Sequence, residues 1–279
     1  MQIREVKRVG IVGLGKMGRP IARHIRSKGY QVAGCDIDRA TADLAAKDGT
    51  AVFASIAELA AASDVLIILV GFDSEVESVI FGAEGVLSRL QPGSILVVSS
   101  TVAPQTIKHI AGRLQGRGDM HLVDAPLTRG EEAAEKGRLL VMAGGDAQVV
   151  ERCRPVFSAF SDAIHYLGPL GAGQAGKLVN NLILWACMSA NFEGLKLGQA
   201  LGVDPEVLRR ALVDSSANNW SLQTRAEEKP VPWAEKDMTI VLKEADLARI
   251  SLPLCGTVKE VIKGFKIERG LPTPSIPAD

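Results

Sequence analysis

Residues 8 to 36 leave little freedom in how the first half of this chain can fold. Arg8–Val12 is a short apolar run with strand character, and Gly13-Leu14-Gly15-Lys16-Met17-Gly18 follows it directly. Residues 20–28 then carry helical spacing, and Gln31–Cys35 is a second apolar run that ends at Asp36. Strand, glycine loop, helix and strand make a βαβ unit, in which the strands run parallel and the helix crosses over one face. In such a unit Gly13 permits the tight turn, Gly15 lets backbone approach a pyrophosphate, and Gly18 lets the helix pack on the strand. Free amides at the helix start then face the phosphates. Asp36, 18 residues after Gly18, stands where a carboxylate can accept hydrogen bonds from ribose hydroxyls. The loop therefore reads as a dinucleotide site with Leu14, Lys16 and Met17 in its wall. The plainer alternative is a tight strand–helix turn with no ligand. A second match to the same glycine pattern, Gly171-Ala-Gly173-Gln-Ala-Gly176, runs into an uninterrupted helical stretch. With no following strand it cannot complete a βαβ unit, and it is not read as a binding loop.

The rest of the first 168 residues continues the alternation. Apolar runs at 65–70, 94–98, 121–123, 139–143 and 163–167 are separated by helical stretches, 41–47 among them. Near-continuous apolar strands alternating with helices imply a parallel sheet covered on both faces. The expected fold is α/β, a Rossmann-type doubly wound parallel sheet over residues 1–168, with an all-α domain over 169–279. Residues 176–201 have helix spacing without a breaker and carry apolar residues on more than one face, including Val179 and Ile183. That predicts a helix buried from several sides, with a homodimer or higher homo-oligomer interface as one way to bury it. Asp204-Pro205 signals a helix start with Val207, Leu208 and Leu212 on one face, and a further helix is expected over 237–250. Residues 217–220 form a polar gap, read as an ordinary loop that could border a pocket. The proline-rich tail from Leu271 cannot be helix and is expected to be mobile.

Charge narrows the partners. There are 32 basic and 32 acidic residues, without the basic excess expected of a nucleic-acid or membrane-surface binder. The longest apolar run is far too short to span a membrane, and the N-terminus lacks the apolar stretch of a secretory signal. Cys35, Cys153, Cys187 and Cys255 are widely separated, three of them among apolar neighbours, which suggests free thiols in a reducing, cytoplasmic setting. The four histidines are equally scattered, so no metal site is expected.

Lys177 and Asn181 lie four residues apart, one turn apart on one face of a helix. By spacing alone, the simplest account of Lys177 is a buried stem with its head in water. The wider pattern adds to this: Val9-Gly-Ile-Val-Gly-Leu-Gly-Lys-Met-Gly, Ser100-Thr101 with Pro104, Asp124-Ala-Pro126 with Gly130 and Gly137, Gly173 with Lys177 and Asn181, and Lys236-Asp237. In that order, over nearly the whole chain, these residues resemble the β-hydroxyacid dehydrogenase family, which includes 3-hydroxyisobutyrate and 6-phosphogluconate dehydrogenases. The resemblance implies that Lys177 is the acid/base, taking the hydroxyl proton while hydride leaves the same carbon for a nicotinamide. A lysine can do this if burial and neighbouring cations bring its pKa toward about 7–8. It further implies that Asn181 holds the substrate, that Val70, Gly71 and Thr101 line the cofactor, and that Lys236 closes over it. A solvated surface charge is the plain alternative for Lys236.

Two positions bear on specificity. Asp36 would repel a 2′-phosphate, which favours NAD, although Arg39 could meet that phosphate and keeps NADP open. Most of the family reads Asp-Ala-Pro-Val-Ser-Gly-Gly where this chain reads Asp124-Ala-Pro-Leu-Thr128-Arg129-Gly130. Thr128 keeps a hydroxyl and Gly130 one small residue, while Arg129 puts a positive fork where a glycine is usual. Such a fork suits a carboxylate, sulfonate or phosphate, and the resemblance extends to the sulfolactaldehyde reductases, which use an arginine here on a sulfonate. A small anionic substrate is therefore expected, with Thr128, Arg129 and Gly130 around it. Alternatively, Arg129 pairs with Glu131 or Glu132. Imine reduction on the same scaffold and an inactive dinucleotide-binding interaction protein are the competing functions; Lys177 speaks against the first, and Lys177 together with Asn181 against the second.

Overall fold

The computed structural model describes residues 6–115, 120–224 and 233–272. The chain divides into two compact units, Met1–Lys177 and Leu178–Asp279.

In the first unit, β1 (Arg8–Val12), β2 (Gln31–Cys35), β3 (Ala51–Val52), β4 (Val65–Ile68), β5 (Ile95–Val98) and β6 (His121–Asp124) form a parallel sheet in the order β3-β2-β1-β4-β5-β6. This is the strand order of a dinucleotide-binding sheet, with its topological switch between β1 and β4. The sheet then changes direction. A long strand β8 (Leu139–Gly145) runs antiparallel to β6 and carries the short β7 (Leu127–Thr128) antiparallel and β9 (Ser161–Gly168) parallel.

Strand alternation sends side chains to two helical layers. Val9, Ile11, Val65, Ile67, Ile95 and Val97 pack with Ile21 and Ile25 of α1 (Gly18–Ser27) and with Val149, Val156 and Phe157 of α7 (Ala147–Phe157). Val12, Leu66, Ile68, Leu96 and Val98 pack with Leu59 of α3 (Ile56–Ala61), Val76 and Ile80 of α4 (Asp73–Phe81), and Ile107 and Ile110 of α5 (Pro104–Leu114). Strands buried on both faces need no polar alternation, which is why they read as continuous apolar runs. Between these lie α2 (Arg39–Lys47), capped by the Asp38 carboxylate, and α6 (Gly130–Glu135). The run at 65–70 ends as a strand at Ile68, because the chain then turns toward α4. The two-residue strands β3 and β7 are too short to leave a sequence pattern.

The division between units falls within α8 (Ala172–Ala200). The second unit continues with α9 (Pro205–Val213), α10 (Trp220–Thr224), α11 (Ala234–Ala248) and α12 (Pro253–Glu268). Asp204 caps α9 as its sequence signals, accepting from the amides of Glu206 and Val207. The helix expected over 237–250 begins three residues earlier and ends at Ala248. α12, started by Pro253, went unread in the sequence. The long helix differs from expectation in one respect. A single stripe, Leu178, Asn181, Trp185 and Ser189, is buried, whereas Val179, Ile183 and Leu197 are exposed in the single chain. α9 likewise buries no residue, and Val207 is exposed. Of the proline-rich tail, 273–279 lies outside the described residues. No described helix is long and apolar enough to cross a membrane.

Candidate active site

The glycine loop sits at the switch between β1 and β4. Gly13 has φ +92°, and a Cβ there would strike the Leu69 carbonyl. A Cβ on Gly18 would collide with the Gly13 carbonyl oxygen, so close helix–strand packing requires glycine. Gly15 is the opposite case: a Cβ there would meet no atom within 4 Å. Its backbone faces open space, which is what close approach by a phosphate needs. These three environments fit a pyrophosphate laid on the start of α1. The Asp36 carboxylate accepts from the Leu14 amide at 2.6 Å and the Asp38 amide at 2.9 Å, so its charge is fixed beside the loop. Lys16 is exposed and pairs with Glu131 at 3.3 Å. Met17 is the residue preceding α1 and packs against the core.

A buried polar network ties the C-terminal ends of β4, β5 and β6 together. The Val70 amide donates to Ser100 Oγ at 2.8 Å, joining the β4 turn to the loop that carries Thr101. Gln174, fully buried on α8, donates from Nε2 to the Ser100 carbonyl at 2.8 Å and accepts at Oε1 from the Val102 amide at 3.1 Å. Asp124, fully buried at the end of β6, accepts from the Gly171 and Gln174 amides, each at 2.8 Å. Burial pushes the Asp124 carboxyl above the ordinary carboxylate range, against the pull of the amides around it. The second glycine cluster now has its physical explanation. Gly173 lies so close that a Cβ would sit 2.7 Å from the Asp124 carbonyl oxygen, and a Cβ on Gly176 would run into Leu167. The cluster lets α8 start against β6 and present its first amides to a carboxylate of the protein itself.

One turn further along α8, Lys177 Nζ donates to the Leu127 carbonyl at 2.6 Å. That oxygen belongs to β7, the strand that leads into Thr128-Arg129-Gly130. Lys177 and the expected substrate turn are thus brought together within the first unit. Thr128 is buried, and Arg129 and Gly130 both have positive φ, +82° and +78°. A left-handed arginine costs about 1–2 kcal/mol relative to glycine, which explains why glycine is usual here. The Arg129 guanidinium bonds to the Arg138 carbonyl at 2.9 Å and pairs with Asp162 of β9. Neither expected acidic partner is its mate: Glu131 meets Lys16 and Glu132 meets Lys136.

In the second unit, Asn181 is buried on α8 and its Nδ2 donates to Asp237 Oδ2 at 2.9 Å, while Trp185 Nε1 donates to the same oxygen at 3.0 Å. Asn180 Nδ2 occupies the Asn181 side-chain oxygen at 2.9 Å. Asp237, buried on α11, thereby fixes the rotamer of Asn181, a role the sequence pattern did not assign. The signal available was the polar pair Asn181 and Trp185, four residues apart on the buried stripe. Lys236 lies 5.6 Å from the centre of the Trp233 ring. Within residues 217–220, Asn219 bonds with Asn191 of α8, as does Ser221 in the first turn of α10.

Comparison with known proteins now decides the family. Residues 8–168 match the NAD binding domain of 6-phosphogluconate dehydrogenase, and residues 171–271 match the NAD-binding domain of NADP-dependent 3-hydroxyisobutyrate dehydrogenase. The chain belongs to the 3-hydroxyisobutyrate dehydrogenase-like β-hydroxyacid dehydrogenase family. Among similar members, the NAD-dependent L-serine dehydrogenase of Pseudomonas aeruginosa is 33% identical, over 78% of this chain and 73% of the relative. The L-threonate dehydrogenase of Cupriavidus necator is 30% identical, over 91% of this chain and 89% of the relative. A solved structure of Mycobacterium tuberculosis 3-hydroxyisobutyrate dehydrogenase with L-serine superposes with a TM-score of 0.83 at 26% identity, covering 94% of each chain. The protein is an NAD(P)-dependent hydroxyacid dehydrogenase of this family, acting on CH–OH donors.

Proposed function

We propose that this member of the β-hydroxyacid dehydrogenase family interconverts a small anionic β-hydroxyacid, or a hydroxy-sulfonate, and its aldehyde, with NAD as the favoured cofactor. The observation that carries the reading is Lys177: its ammonium is held on the carbonyl that precedes Thr128, Arg129 and Gly130. The bound nicotinamide supplies the hydride acceptor or donor. Lys177 takes the hydroxyl proton in oxidation and returns it to the nascent alkoxide in reduction. Asn181, one turn along the same helix, gives one Nδ2 hydrogen to Asp237 and keeps the second for the substrate. Thr128 and Gly130 line the turn, Val70 and Thr101 line the cofactor, and Lys236 closes over it. The substrates for which relatives are named, L-serine, L-threonate and 3-hydroxyisobutyrate, are all small hydroxyacids and support this class.

Arg129 supplies the selectivity for a second anionic group on the substrate, which must compete with Asp162 for the guanidinium. The test is Arg129→Ala. KM for an anionic hydroxyacid or hydroxy-sulfonate rises by far more than activity on neutral aldehydes falls; an equal effect on both removes Arg129 from substrate recognition. For the cofactor, the fixed Asp36 carboxylate supports NAD, and Asp36→Ala should relax the preference against NADP.

The reading uses a dinucleotide-binding domain of residues 1–168 and a helical substrate and dimerisation domain of 169–279. Exposed Val179, Ile183 and Leu197 on α8 support a homodimer through that helix. A strict monomer by size-exclusion chromatography with light scattering would refute it. Three buried thiols and one half-buried thiol, all unpaired, suit a reducing, cytoplasmic setting.

A further inference from the structure

The polar network at the start of α8 is more elaborate than helix packing requires. An ordinary helix start takes its cap from the residue before it. Here Asp124, on a strand 47 residues earlier in sequence, accepts from Gly171 and Gln174. Gln174 then spends both ends of its amide on the Ser100 carbonyl and the Val102 amide, either side of Thr101. Ser100 in turn holds Val70. Lys177 follows Gln174 by three residues, and its Nζ reach to Leu127 depends on where α8 begins.

We infer that Asp124 and Gln174 are positioning residues for Lys177: they lock the first turn of α8 to the ends of β5 and β6, and so fix the Lys177 ammonium relative to the Thr101 loop. Neither side chain has a polar atom free for substrate, because both carboxylate oxygens of Asp124 and both amide atoms of Gln174 are engaged within the fold. The inference rests on the reading of Lys177 as the proton-transfer group. Proton transfer is sensitive to placement, and a displacement of about 1 Å can cost on the order of a hundredfold in rate.

The same chemistry occurs at the opposite end of the sheet and supplies a matched control. Asp64, buried at the start of β4, accepts from the Lys7 and Arg8 amides at 3.1 and 2.9 Å and from the Arg8 guanidinium. Its loss should lower stability without touching Lys177.

The experiment compares Gln174→Met, Asp124→Asn, Asp64→Asn and Lys177→Met in the full-length chain. Three readouts are taken: melting temperature, kinetics of NAD reduction with L-serine, L-threonate and 3-hydroxyisobutyrate, and the rate of Lys177 acetylation by acetic anhydride, followed by peptide mass spectrometry. Gln174→Met and Asp124→Asn should lower kcat by roughly tenfold to a hundredfold while KM for NAD changes by less than about threefold. The acid limb of their kcat–pH profile should move, and the pH dependence of Lys177 acetylation should move with it. Asp64→Asn should lose comparable stability with kcat and Lys177 labelling unchanged. Should Gln174→Met not fold, Gln174→Asn keeps both polar functions but shortens their reach to Ser100 and Val102 by one methylene. If no member of the panel is turned over, the labelling profile decides. Wild-type kcat and labelling in the folded Gln174 and Asp124 variants overturn the inference, as does an equal kcat loss in Asp64→Asn. Turnover surviving Lys177→Met would instead overturn the acid/base reading; an inactive Lys177→Met beside an unimpaired Gln174→Met condemns the positioning role alone.

Discussion

Replacing Lys266 by methionine should destabilise the helical unit severely, while replacing its partner as well should restore it. Lys266 of α12 and Glu235 of α11 form an ion pair in which each residue is only 3% exposed. The second carboxylate oxygen of Glu235 is buried without a hydrogen-bond partner among the described residues. Lys266→Met preserves most of the apolar stem but leaves a buried carboxylate with no cation. Breaking a buried pair in this way costs about 3–5 kcal/mol, whereas exchanging both charges for apolar side chains is neutral or stabilising by about 1–4 kcal/mol. Glu235→Leu with Lys266→Met should therefore be at least as stable as the parent, and the cycle should show strong coupling between the two sites. Urea unfolding followed by tryptophan fluorescence reads the correct unit, because all three tryptophans (Trp185, Trp220 and Trp233) lie within Leu178–Asp279. With a urea slope of about 1–3 kcal/mol per molar, the single variant should lose about 1 M or more in midpoint. A loss below about 1 kcal/mol for Lys266→Met, or a double variant no better than the single, would refute the reasoning. Function should follow, since Glu235 immediately precedes Lys236 and Asp237, and a loosened α11 releases the carboxylate that holds Asn181.

Gly15→Ala should fold and melt like the parent yet bind NAD at least about tenfold more weakly by calorimetry, because its Cβ clashes only with a bound phosphate; Gly18→Ala should lose both stability and binding, its Cβ meeting the Gly13 carbonyl. Equal behaviour of the two would contradict the loop assignment. For Asp64, burial alone would raise the carboxyl pKa, but the Arg8 side chain and the Lys7 and Arg8 amides outweigh it and hold it below the ordinary value. A depressed carboxylate contributes stability above its unfolded pKa that disappears as pH falls through the folded one. The stability gap between the parent and Asp64→Asn should accordingly be full at neutral pH and close in acid; a pH-independent gap would be inconsistent with it. Burial lifts the Cys153 thiol to about 12, and Cys35 and Cys255 are also buried and raised. Ellman titration of the native chain near neutral pH should therefore label Cys187 at most, and rapid modification of two or more thiols would show that the cores open.

Where local physics dictated the element, the sequence was legible. β1 and β2 begin and end where the sequence places them: each opens on a polar residue outside the covered part, Arg8 or Gln31, and runs on without polar interruption because both its faces are covered. α9 starts at its proline because Asp204 has no better use than to cap it. Elements fixed by distant contacts were not legible. β7 is two residues long and exists because β8 pairs with it. α8 begins at Ala172 rather than 176 because Asp124 caps it from another strand. The choice of Asp162 as the mate of Arg129, over two nearer glutamates, is set by β9 lying beside β8. The sequence leads to an α8 buried from several sides, and within the single chain one stripe of it is covered: apolar periodicity reports what a helix can bury, not what one chain supplies to bury it.

The two glycine clusters draw these points together. Both match the same spacing, and only the first has the strand that completes a nucleotide-binding unit. Yet both perform one physical task, which is to bring a negative charge against the free amides of a helix start. At Gly15 the space beyond the backbone is open, which leaves room for a charge from outside, such as a cofactor phosphate. At Gly173 that space is filled by Asp124, so the acceptor is internal to the fold. On the proposed function an external anion at the first helix recruits the cofactor, while an internal acceptor at the second pins the lysine-bearing helix to the sheet. The second cluster is thus a false match as a nucleotide motif but a true one as electrostatics. Exchange of Gly173 for alanine should consequently disturb Lys177 and kcat while leaving the affinity for NAD in place, the reverse of the pattern expected at Gly15.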